Sequence, residues 1–349
     1  MVNSQISVLG HFGDGIQLLN GQTVKTKIIT EELQNQLGED QVEKIDTYGG
    51  WKTLLKAPFQ VFGALKNSKN VLIFPAHNGL RVYSPLLSTL RSLFKKRKIH
   101  YIVIGGWLPE FLQKRKFLAN MLKKFDGIYV ETNTMRTALE AQGFTNVFVM
   151  PNCKNLQILN EDELVYSDGA PFKLCTFSRV VREKGIEDAI NAVRTVNETI
   201  GKTVYTLDIY GQVDATQTEW FDELQKNFPE YVSYKGCVDA DKSVAVLKCY
   251  FALLFPTHYY TEGIPGTIID AYASGVPVIS ARWQSFEDII DEKLTGIGYD
   301  FGNIQDLIQK LSDLVEKTNE FNALKINCLE KSKQFVPEEA IKVLNKEFC

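Results

Sequence analysis

The feature that most constrains the fold is a repeated alternation of short apolar runs with segments of helical spacing. Apolar and β-branched runs occur at residues 6–9, 71–74, 101–104, 127–130 and 146–150, and all but the run at 127–130 stop at Gly or Pro. The pattern then starts again, with runs at 172–177, 203–210, 251–255 and 276–279. Short buried strands that alternate with helices are typical of a parallel sheet covered on both faces. The sequence therefore predicts an α/β chain with two Rossmann-like parallel sheets.

Length and charge indicate two domains. The chain has 349 residues, more than the roughly 250–300 that one hydrophobic core usually serves. Residues 1–150 carry 19 basic and 11 acidic side chains, whereas the remainder carries 20 basic and 31 acidic ones. The net charge therefore changes sign between the two parts, which suggests two domains and a directional surface. We predict an N-terminal domain over residues 1–155, a C-terminal domain over 170–330 and, within 331–349, a final helix for which one option is crossing back to the N-terminal domain.

The composition is that of an ordinary globular protein, with 44% hydrophobic and 23% charged residues and a formal net charge of -3. Six cysteines are scattered without a CxxC pair, which favours small buried thiols in a reducing compartment. The start of the chain lacks the pattern of a signal peptide, and no apolar run reaches the roughly 18 residues that span a membrane. We therefore expect a cytoplasmic protein. The negative net charge argues against a general nucleic-acid binder.

The most informative motif runs from Glu262 to Ile279, directly after the apolar run at 251–255. Glycines and a proline lead here into a predicted helix, and these residues are candidates for donor binding: Gly263, Ile264, Pro265, Gly266 and Thr267. The first turn of a helix offers free N–H groups and a positive dipole end, which suit a phosphate or a sugar hydroxyl. Glu262 lies on the loop, where it can face a sugar. Asp270 lies about two turns along the helix, where it can accept from ribose hydroxyls.

A second motif, Phe177 to Gly185, lies at the end of the strand that opens the second half. Strand C-termini are where open α/β sheets bind ligands. Arg179 and Lys184 can both reach a diphosphate, the first as a fork of donors and the second as a point charge. A basic loop is by itself more often solvated surface, but its combination with the Glu262 motif favours a binding site. Gly211, at the end of the next predicted strand, is assigned to the same site.

The order Ser-Arg-…-Lys-Gly, then Glu-Gly-x-Pro-…-acid-Ala-…-Gly-x-Pro-Val, resembles the retaining glycosyltransferases of family 4, which have the GT-B fold. The resemblance is close over residues 172–280 and looser in the first half. It implies that Arg179 and Lys184 hold the diphosphate of a nucleotide sugar, that Glu262 contacts the donor sugar and that Asp270 holds the ribose. The family usually has Glu at this last position, so the shorter Asp270 is expected to weaken or shift that contact. The resemblance further implies an active site between the two domains and retention of anomeric configuration.

The first glycine loop fits the same resemblance. In family 4 such a loop approaches the diphosphate and the acceptor, and Gly13, Gly15 and Gly21 are the candidates here. The segment that starts at Asn20 resembles enzymes of bacterial capsule and exopolysaccharide assembly, which makes Asn20 a candidate acceptor contact. A structural turn is an equally good interpretation of a loose glycine loop. Lys25, in the following helix, is interpreted as a solvated residue.

One departure from the family concerns the acceptor side. Many members carry a His near the reacting sugar, whereas the run at 101–104 leads here into Gly-Gly and Trp107. His77 at a neighbouring strand end is the nearest candidate, although a lone His there is more often a hydrogen-bonded loop residue. Trp107 and Glu110 either shape the acceptor pocket or simply pack. The candidate acceptor contacts are Asn20, His77, Asn78, Trp107 and Glu110.

Residues 81–124 form a basic stretch, with eleven Lys or Arg and one acid, Glu110. Apolar residues interleave at helical spacing, so the stretch suits an anionic membrane surface, where each basic residue contributes about 1 kcal/mol. Two ordinary helices with a core stripe and a solvated basic face are the alternative. The enzymes that this chain resembles often use lipid-linked acceptors. We therefore favour a peripheral position at the inner face of the plasma membrane.

These observations predict a retaining glycosyltransferase that moves a hexose from a UDP-linked nucleotide sugar to a lipid-linked glycan, in bacterial surface polysaccharide or glycoconjugate synthesis. The sequence has no DxD motif and no His/Cys cluster at ligand spacing. We therefore expect no metal and no cofactor, with the nucleotide sugar as substrate. The alternatives are a sugar-nucleotide epimerase or phosphorylase of the same fold, and a catalytically inactive protein that docks on a membrane. A dehydrogenase is a weaker alternative, because the first glycines lack the GxGxxG spacing.

Overall fold

The computed structural model describes residues 4–13, 15, 21–94 and 96–348. The chain divides into two compact units. Unit 1 comprises residues 1–155 and 335–349, and unit 2 comprises residues 156–334. The polar segment at 156–169 is therefore part of unit 2, and the last helix is part of unit 1.

The described residues of unit 1 form a six-stranded parallel sheet, in the order β2-β1-β3-β4-β5-β6. The strands are β1 (Ser4–Gly10), β2 (Val42–Asp46), β3 (Ser68–Ile73), β4 (Lys98–Ile102), β5 (Gly127–Val130) and β6 (Val147–Val149). The helices between them are α1 (Gly21–Leu37), α2 (Trp51–Leu54), α3 (Ala57–Asn67), α4 (His77–Leu90), α5 (Leu108–Gln113), α6 (Lys116–Leu122) and α7 (Asn133–Glu140). Because every pair of strands is parallel, the carboxyl ends of all strands lie at one edge of the sheet.

Alternate residues of the central strands of unit 1 pack on opposite faces of the sheet. In β3, Val71 and Ile73 join one apolar cluster, which also includes residues of α3 to α7. Leu72, between them, joins a second cluster with residues of α1. Both faces are buried, which explains why these strands are continuous apolar runs rather than alternating ones.

Unit 2 repeats this architecture, with the strand order β12-β11-β10-β7-β8-β9 and parallel pairing throughout. Its strands are β7 (Phe172–Phe177), β8 (Tyr205–Tyr210), β9 (Val232–Gly236), β10 (Ala252–Phe255), β11 (Val278–Ala281) and β12 (Gly296–Tyr299). Its helices are α8 (Ile186–Ile200), α9 (Thr218–Lys226), α10 (Ser243–Leu247), α11 (Gly266–Ala273), α12 (Phe286–Ile289), α13 (Ile304–Leu314), α14 (Thr318–Asn322) and α15 (Leu324–Ser332). The largest apolar cluster lies between the strands and α8 and α13.

The last helix, α16 (Pro337–Glu347), packs on the α1 face of unit 1. It buries Ala340, Ile341 and Leu344 there. Lys98 Nζ donates to the carbonyl of Glu347 at 2.7 Å, which ties the end of the helix to β4. The chain thus returns to unit 1 after it has completed unit 2.

Three strands, β2, β9 and β12, were not predicted from the sequence. All three are edge strands, and an edge strand has less apolar surface to bury than a central one. The interpretation of the cysteines as buried thiols is correct for Cys153, Cys175 and Cys328 but wrong for Cys237 and Cys249, which are exposed. Within the described ranges, no helix combines the length and apolar character that crossing a membrane requires.

Candidate functional site

The two motifs of unit 2 meet at the carboxyl edge of its sheet. Glu262 lies on the loop between β10 and α11, and Lys184 lies on the turn that follows β7. The Lys184 Nζ and Glu262 Oε1 atoms form an ion pair, and Thr257 Oγ1 donates to the same carboxylate oxygen at 3.3 Å. The two charged side chains are only 15% and 17% exposed. The structure therefore brings two predicted site residues into direct contact.

Gly185 makes this contact possible. Its φ of 69° lies in the left-handed region, and a Cβ atom at this position would collide with the backbone carbonyl of Pro256. Only glycine lets the Arg182–Lys184 turn approach the loop after β10 so closely. The Lys184 ammonium also lies 5.1 Å from the ring centroid of Phe255 and 5.3 Å from that of Tyr259. These rings hold the cation at the mouth of the loop.

Arg179 is an exposed cation at this edge. Its side chain is 59% exposed and lies 3.5 Å from the carboxylate of Asp214, which follows β8. Hydrogen bonds from Thr216 lower the pKa of Asp214, and the charge of Arg179 adds to this effect. Gly211, with a φ of 133°, packs against the backbone of Ser178, where a Cβ atom would clash. Gly211 thus allows the loop that carries Arg179 to pack closely against the end of β8.

The helix α11 begins at Gly266, with Pro265 as its N-cap and no side chain capping its first N–H groups. Gly263, Ile264 and Pro265 are buried in the turn before it. The Thr267 hydroxyl is buried and has no hydrogen-bond partner among the described residues, an arrangement that native proteins seldom leave unexplained. Asp270 is also buried, at 3% exposure, so its contact with a ribose stays a prediction.

Sequence reasoning missed a second pair of polar side chains at this edge. His258 Nε2 lies 2.8 Å from Asp188 Oδ2. The backbone N–H of His258 donates to the backbone carbonyl of Glu183 at 2.8 Å. These contacts join the loop after β10 to the turn after β7. The available signal was the position of His258, three residues beyond the end of a predicted strand.

Unit 1 carries the acceptor candidates at its own carboxyl edge. His77 begins α4 after β3, and Trp107 lies before α5 after the neighbouring strand β4. Their rings stack, with centroids 3.9 Å apart and an interplanar angle of 29°. Phe111, which was not predicted, meets the His77 ring edge-on at 4.9 Å. Asn78 and Glu110 are exposed on the first turns of α4 and α5.

The first glycine loop is held by the end of β2. Asp46 Oδ1 accepts from the N–H of Phe12 at 3.0 Å, and Asp46 Oδ2 accepts from that of Gly13 at 3.1 Å. Gly13 and Gly15 both have positive φ values, 59° and 82°. Gly21 opens α1, whereas Asn20 lies outside the described residues.

The interpretation of Lys25 as a solvated residue is wrong. Lys25 and Glu131 form an ion pair of 2.8 Å in which both side chains are 2% exposed. Lys25 Nζ also lies 3.4 Å from the carbonyl oxygen of Val103. The Lys25 side chain thus contacts residues that follow β4 and β5, and it is buried although its position in the sequence indicates a helix surface.

Among the described residues, no group of three or more His, Cys, Asp or Glu side chains is placed to hold a metal ion.

Comparison with known proteins bears on unit 2 above all. Residues 171–317 match the family model described as "Glycosyl transferases group 1". A glycogen synthase of Mycobacterium tuberculosis is 28% identical over 129 residues, which are 36% of this chain and 30% of that protein. The amylovoran biosynthesis glycosyltransferase AmsK of Erwinia amylovora is 24% identical over 128 residues, or 36% of this chain and 31% of that one. The chain thus aligns with less than a third of the length of either relative.

Among solved structures, Anabaena Alr3699/HepE in complex with UDP is similar to this chain, with a TM-score of 0.74 and 14% sequence identity. The alignment covers 98% of this chain and 98% of that one. This likeness confirms the predicted GT-B fold, with two six-stranded parallel sheets. The support for a glycosyltransferase comes from the family match, which covers residues 171–317 within unit 2.

Proposed function

We propose that this protein is a retaining glycosyltransferase that moves a hexose from a UDP-linked nucleotide sugar to a glycan acceptor. The observation that carries the proposal is the pair of Lys184 and Glu262 beside the uncapped start of α11, inside the segment that matches group 1 glycosyl transferases. Alr3699/HepE, which shares the fold, has been solved with UDP and with UDP-glucose. That supports a UDP-linked donor.

In the proposed mechanism, Arg179 and Lys184 neutralise the charge that develops on the departing nucleoside diphosphate. Each charge-assisted hydrogen bond contributes about 1.5–3 kcal/mol, and the first N–H groups of α11 add further donors. Without ligand, the ammonium of Lys184 is engaged by Glu262. A diphosphate competes for that ammonium, and its arrival frees the Glu262 carboxylate for the hydroxyls of the donor sugar. We propose that these groups suffice without a metal or a further cofactor.

We further propose a lipid-linked acceptor and a role in bacterial surface polysaccharide or glycoconjugate synthesis. AmsK, named for amylovoran biosynthesis, supports the polysaccharide role. Unit 1 supports a peripheral position at the inner face of the plasma membrane, because it exposes large apolar side chains and also carries the basic residues of 81–124. The exposed apolar side chains are Leu55 (67%), Phe59 (81%), Phe62, Leu93 and Phe117 (74%). Most other apolar residues of the basic stretch, such as Leu87 and Leu122, are buried in the core.

Vesicle flotation tests this membrane face. The protein is expected to float with vesicles that contain phosphatidylglycerol and to stay in solution with phosphatidylcholine alone. The variant Phe59→Ser/Phe117→Ser should lose most of the binding, whereas Ile326→Ser, an exposed apolar residue of unit 2, should not. Flotation that is independent of anionic lipid would remove the membrane proposal.

Nucleotide binding tests the donor site. UDP should raise the melting temperature of the protein, whereas GDP and ADP should do so less, since a ligand that binds only the folded state stabilises it. Arg179→Ala and Lys184→Ala should each weaken UDP binding about tenfold or more. Arg194→Ala, which changes a partly exposed arginine of α8, serves as the control.

A UDP-release assay with UDP-hexoses, with and without a bacterial lipid extract as acceptor source, then tests transfer. Chelation of divalent metals should leave the rate unchanged. Conversion of the donor alone to its epimer would favour the epimerase alternative. Binding of UDP without transfer to any extract would favour an inactive docking protein.

A further inference from the structure

A cluster of cations and aromatic rings at the carboxyl edge of unit 1 has no part in the donor chemistry described above. Arg81 lies one turn after His77 on α4, and its Cζ atom is 5.3 Å from the centroid of the Phe111 ring. Arg115, between α5 and α6, places its Cζ atom 3.9 Å from the same centroid. The cluster comprises His77, Arg81, Trp107, Phe111 and Arg115, and it is called the arginine cluster below.

The positive charge of the arginine cluster is not compensated by the protein. Over residues 21–94 and 96–348, no carboxylate pairs with Arg81 or Arg115, although five other arginines of the chain do have acidic partners: Arg91, Arg136, Arg179, Arg182 and Arg282. Burial lowers the pKa of His77 below its usual value, and the charges of Arg81 and Arg115 lower it further. Two cations that act on one imidazole repel each other, so a bound anion would be favourable here.

Three members of the arginine cluster, His77, Trp107 and Arg115, are held in place by contacts within unit 1. Trp107 Nε1 donates to the carbonyl of Ile104 at 2.9 Å, and Arg115 Nη1 donates to the carbonyl of Phe111 at 2.8 Å. The stack of His77 on Trp107 fixes the imidazole. Groups that are already held in place lose little conformational entropy on binding, which favours affinity.

We propose that the arginine cluster is an anion subsite for the acceptor, in which Arg81 and Arg115 bind a phosphate or carboxylate and the rings of His77 and Trp107 contact the sugar that carries it. Guanidinium groups suit the oxyanion because they offer several N–H donors in a plane. The inference rests on the proposed function in one respect, since that function makes the ligand an acceptor. It adds that the acceptor is anionic near its reacting end.

The test uses the full-length protein with saturating UDP, so that sugar phosphates do not occupy the donor site. The signals of the His77 imidazole are followed by NMR during titration with glucose 6-phosphate and with glucose, and are assigned with His77→Gln. Glucose 6-phosphate should bind at least about tenfold more tightly than glucose, or about 1.4 kcal/mol, and should raise the pKa of His77. Dodecyl phosphate forms a third arm. Tighter binding of dodecyl phosphate than of glucose 6-phosphate would place the anion on a lipid carrier, and the reverse order would place it on the glycan.

Two variants and a control make the test specific. Arg81→Gln, an exposed substitution, and Arg81→Gln/Arg115→Gln should weaken glucose 6-phosphate binding progressively, by about tenfold or more for the pair. Arg136→Gln, on α7 of the same unit, should not change it. Equal binding of glucose and glucose 6-phosphate, or undiminished binding by folded Arg81→Gln, would overturn the inference. If UDP binds but the His77 signals do not respond, only the inference fails. If glucose 6-phosphate binds at His77 but UDP does not bind, the donor site fails and the anion subsite stands.

Discussion

The carboxyl edges of the two sheets share the same topology but differ in whether their cations have acidic partners. In unit 2, each cation of the edge has an acid nearby, as in Lys184 with Glu262 and Arg179 with Asp214. In unit 1, Arg81 and Arg115 lie beside aromatic rings, without an acidic partner among the described residues. The only fully buried ion pair at that edge, among the described residues, is Lys25 with Glu131.

The difference shows that an ion pair can have two uses. The Lys184–Glu262 pair is partly open to solvent, so a ligand can take over either partner. The Lys25–Glu131 pair is closed to solvent and has no room for exchange. We therefore expect the first pair to serve binding and the second to serve the structure of unit 1. Four predictions test or sharpen this distinction.

The largest effect is expected from Lys25→Met. Breaking a buried pair by removing one partner costs about 3–5 kcal/mol, because the other charge stays buried alone. Hydrogen exchange of β4 and β5 amides should report this loss as faster opening of unit 1. The double variant Lys25→Met/Glu131→Gln should recover much of it, and Lys184→Met should cost unit 2 only about 1 kcal/mol. Equal losses from Lys25→Met and Lys184→Met would erase the distinction between the pairs.

Glu262→Ala is expected to lower the transfer rate at least about a hundredfold, or about 3 kcal/mol, as for other groups that stabilise a transition state. The fold should persist because Glu262 lies on a loop. UDP affinity should not fall, since Lys184 is then free for the diphosphate. Rates and UDP binding are measured beside Glu316→Gln, an exposed acid of unit 2. A variant that transfers at nearly the normal rate would remove Glu262 from the site.

Gly185→Ala should destabilise unit 2 by about 3 kcal/mol, because it combines left-handed strain with a clash. Gly201 provides a matched control: its φ is 75°, but a Cβ atom there meets nothing within 4 Å. Gly201→Ala should therefore cost only about 1 kcal/mol. Hydrogen exchange of the β7 and β10 amides measures the loss of stability in each variant. Similar costs for the two variants would show that contact with Pro256 does not determine the position of Lys184.

The smallest effect concerns pH and unit 1. Burial lowers the pKa of His100 in β4 from 6.5 to about 4. The unfolded chain takes up this proton first as the pH falls, so stability is full above pH 6.5 and declines toward pH 4. The loss attributable to His100 is about 2 kcal/mol between pH 7 and pH 5. His100→Gln should remove this part of the pH dependence of stability, which is measured by hydrogen exchange of the β4 amides. Parallel slopes for the variant and the parent protein would contradict the assignment.

Much of the fold could be predicted from local sequence. The central strands were found because they are buried on both faces and therefore read as apolar runs. β2, β9 and β12 were not found, because an edge strand such as β12, Gly296–Tyr299, contains glycine and little continuous apolar sequence. The assignment of Lys184 and Glu262 to one site was expected from the family resemblance. Their mutual pairing, 78 residues apart, was not.

The sequence by itself determined the two α/β units, the positions of both unit 2 motifs and the glycines that allow them to meet. These follow from local rules: the period of apolar residues, the φ angles open to glycine and the chemistry of a helix start. Only the tertiary structure decided which charges face each other. It buried Lys25 against Glu131, paired Lys184 with Glu262 and left Arg81 and Arg115 beside Phe111. The physical reason is that burial and Coulomb energy depend on distances across the sheet edge, which spacing along the chain does not record.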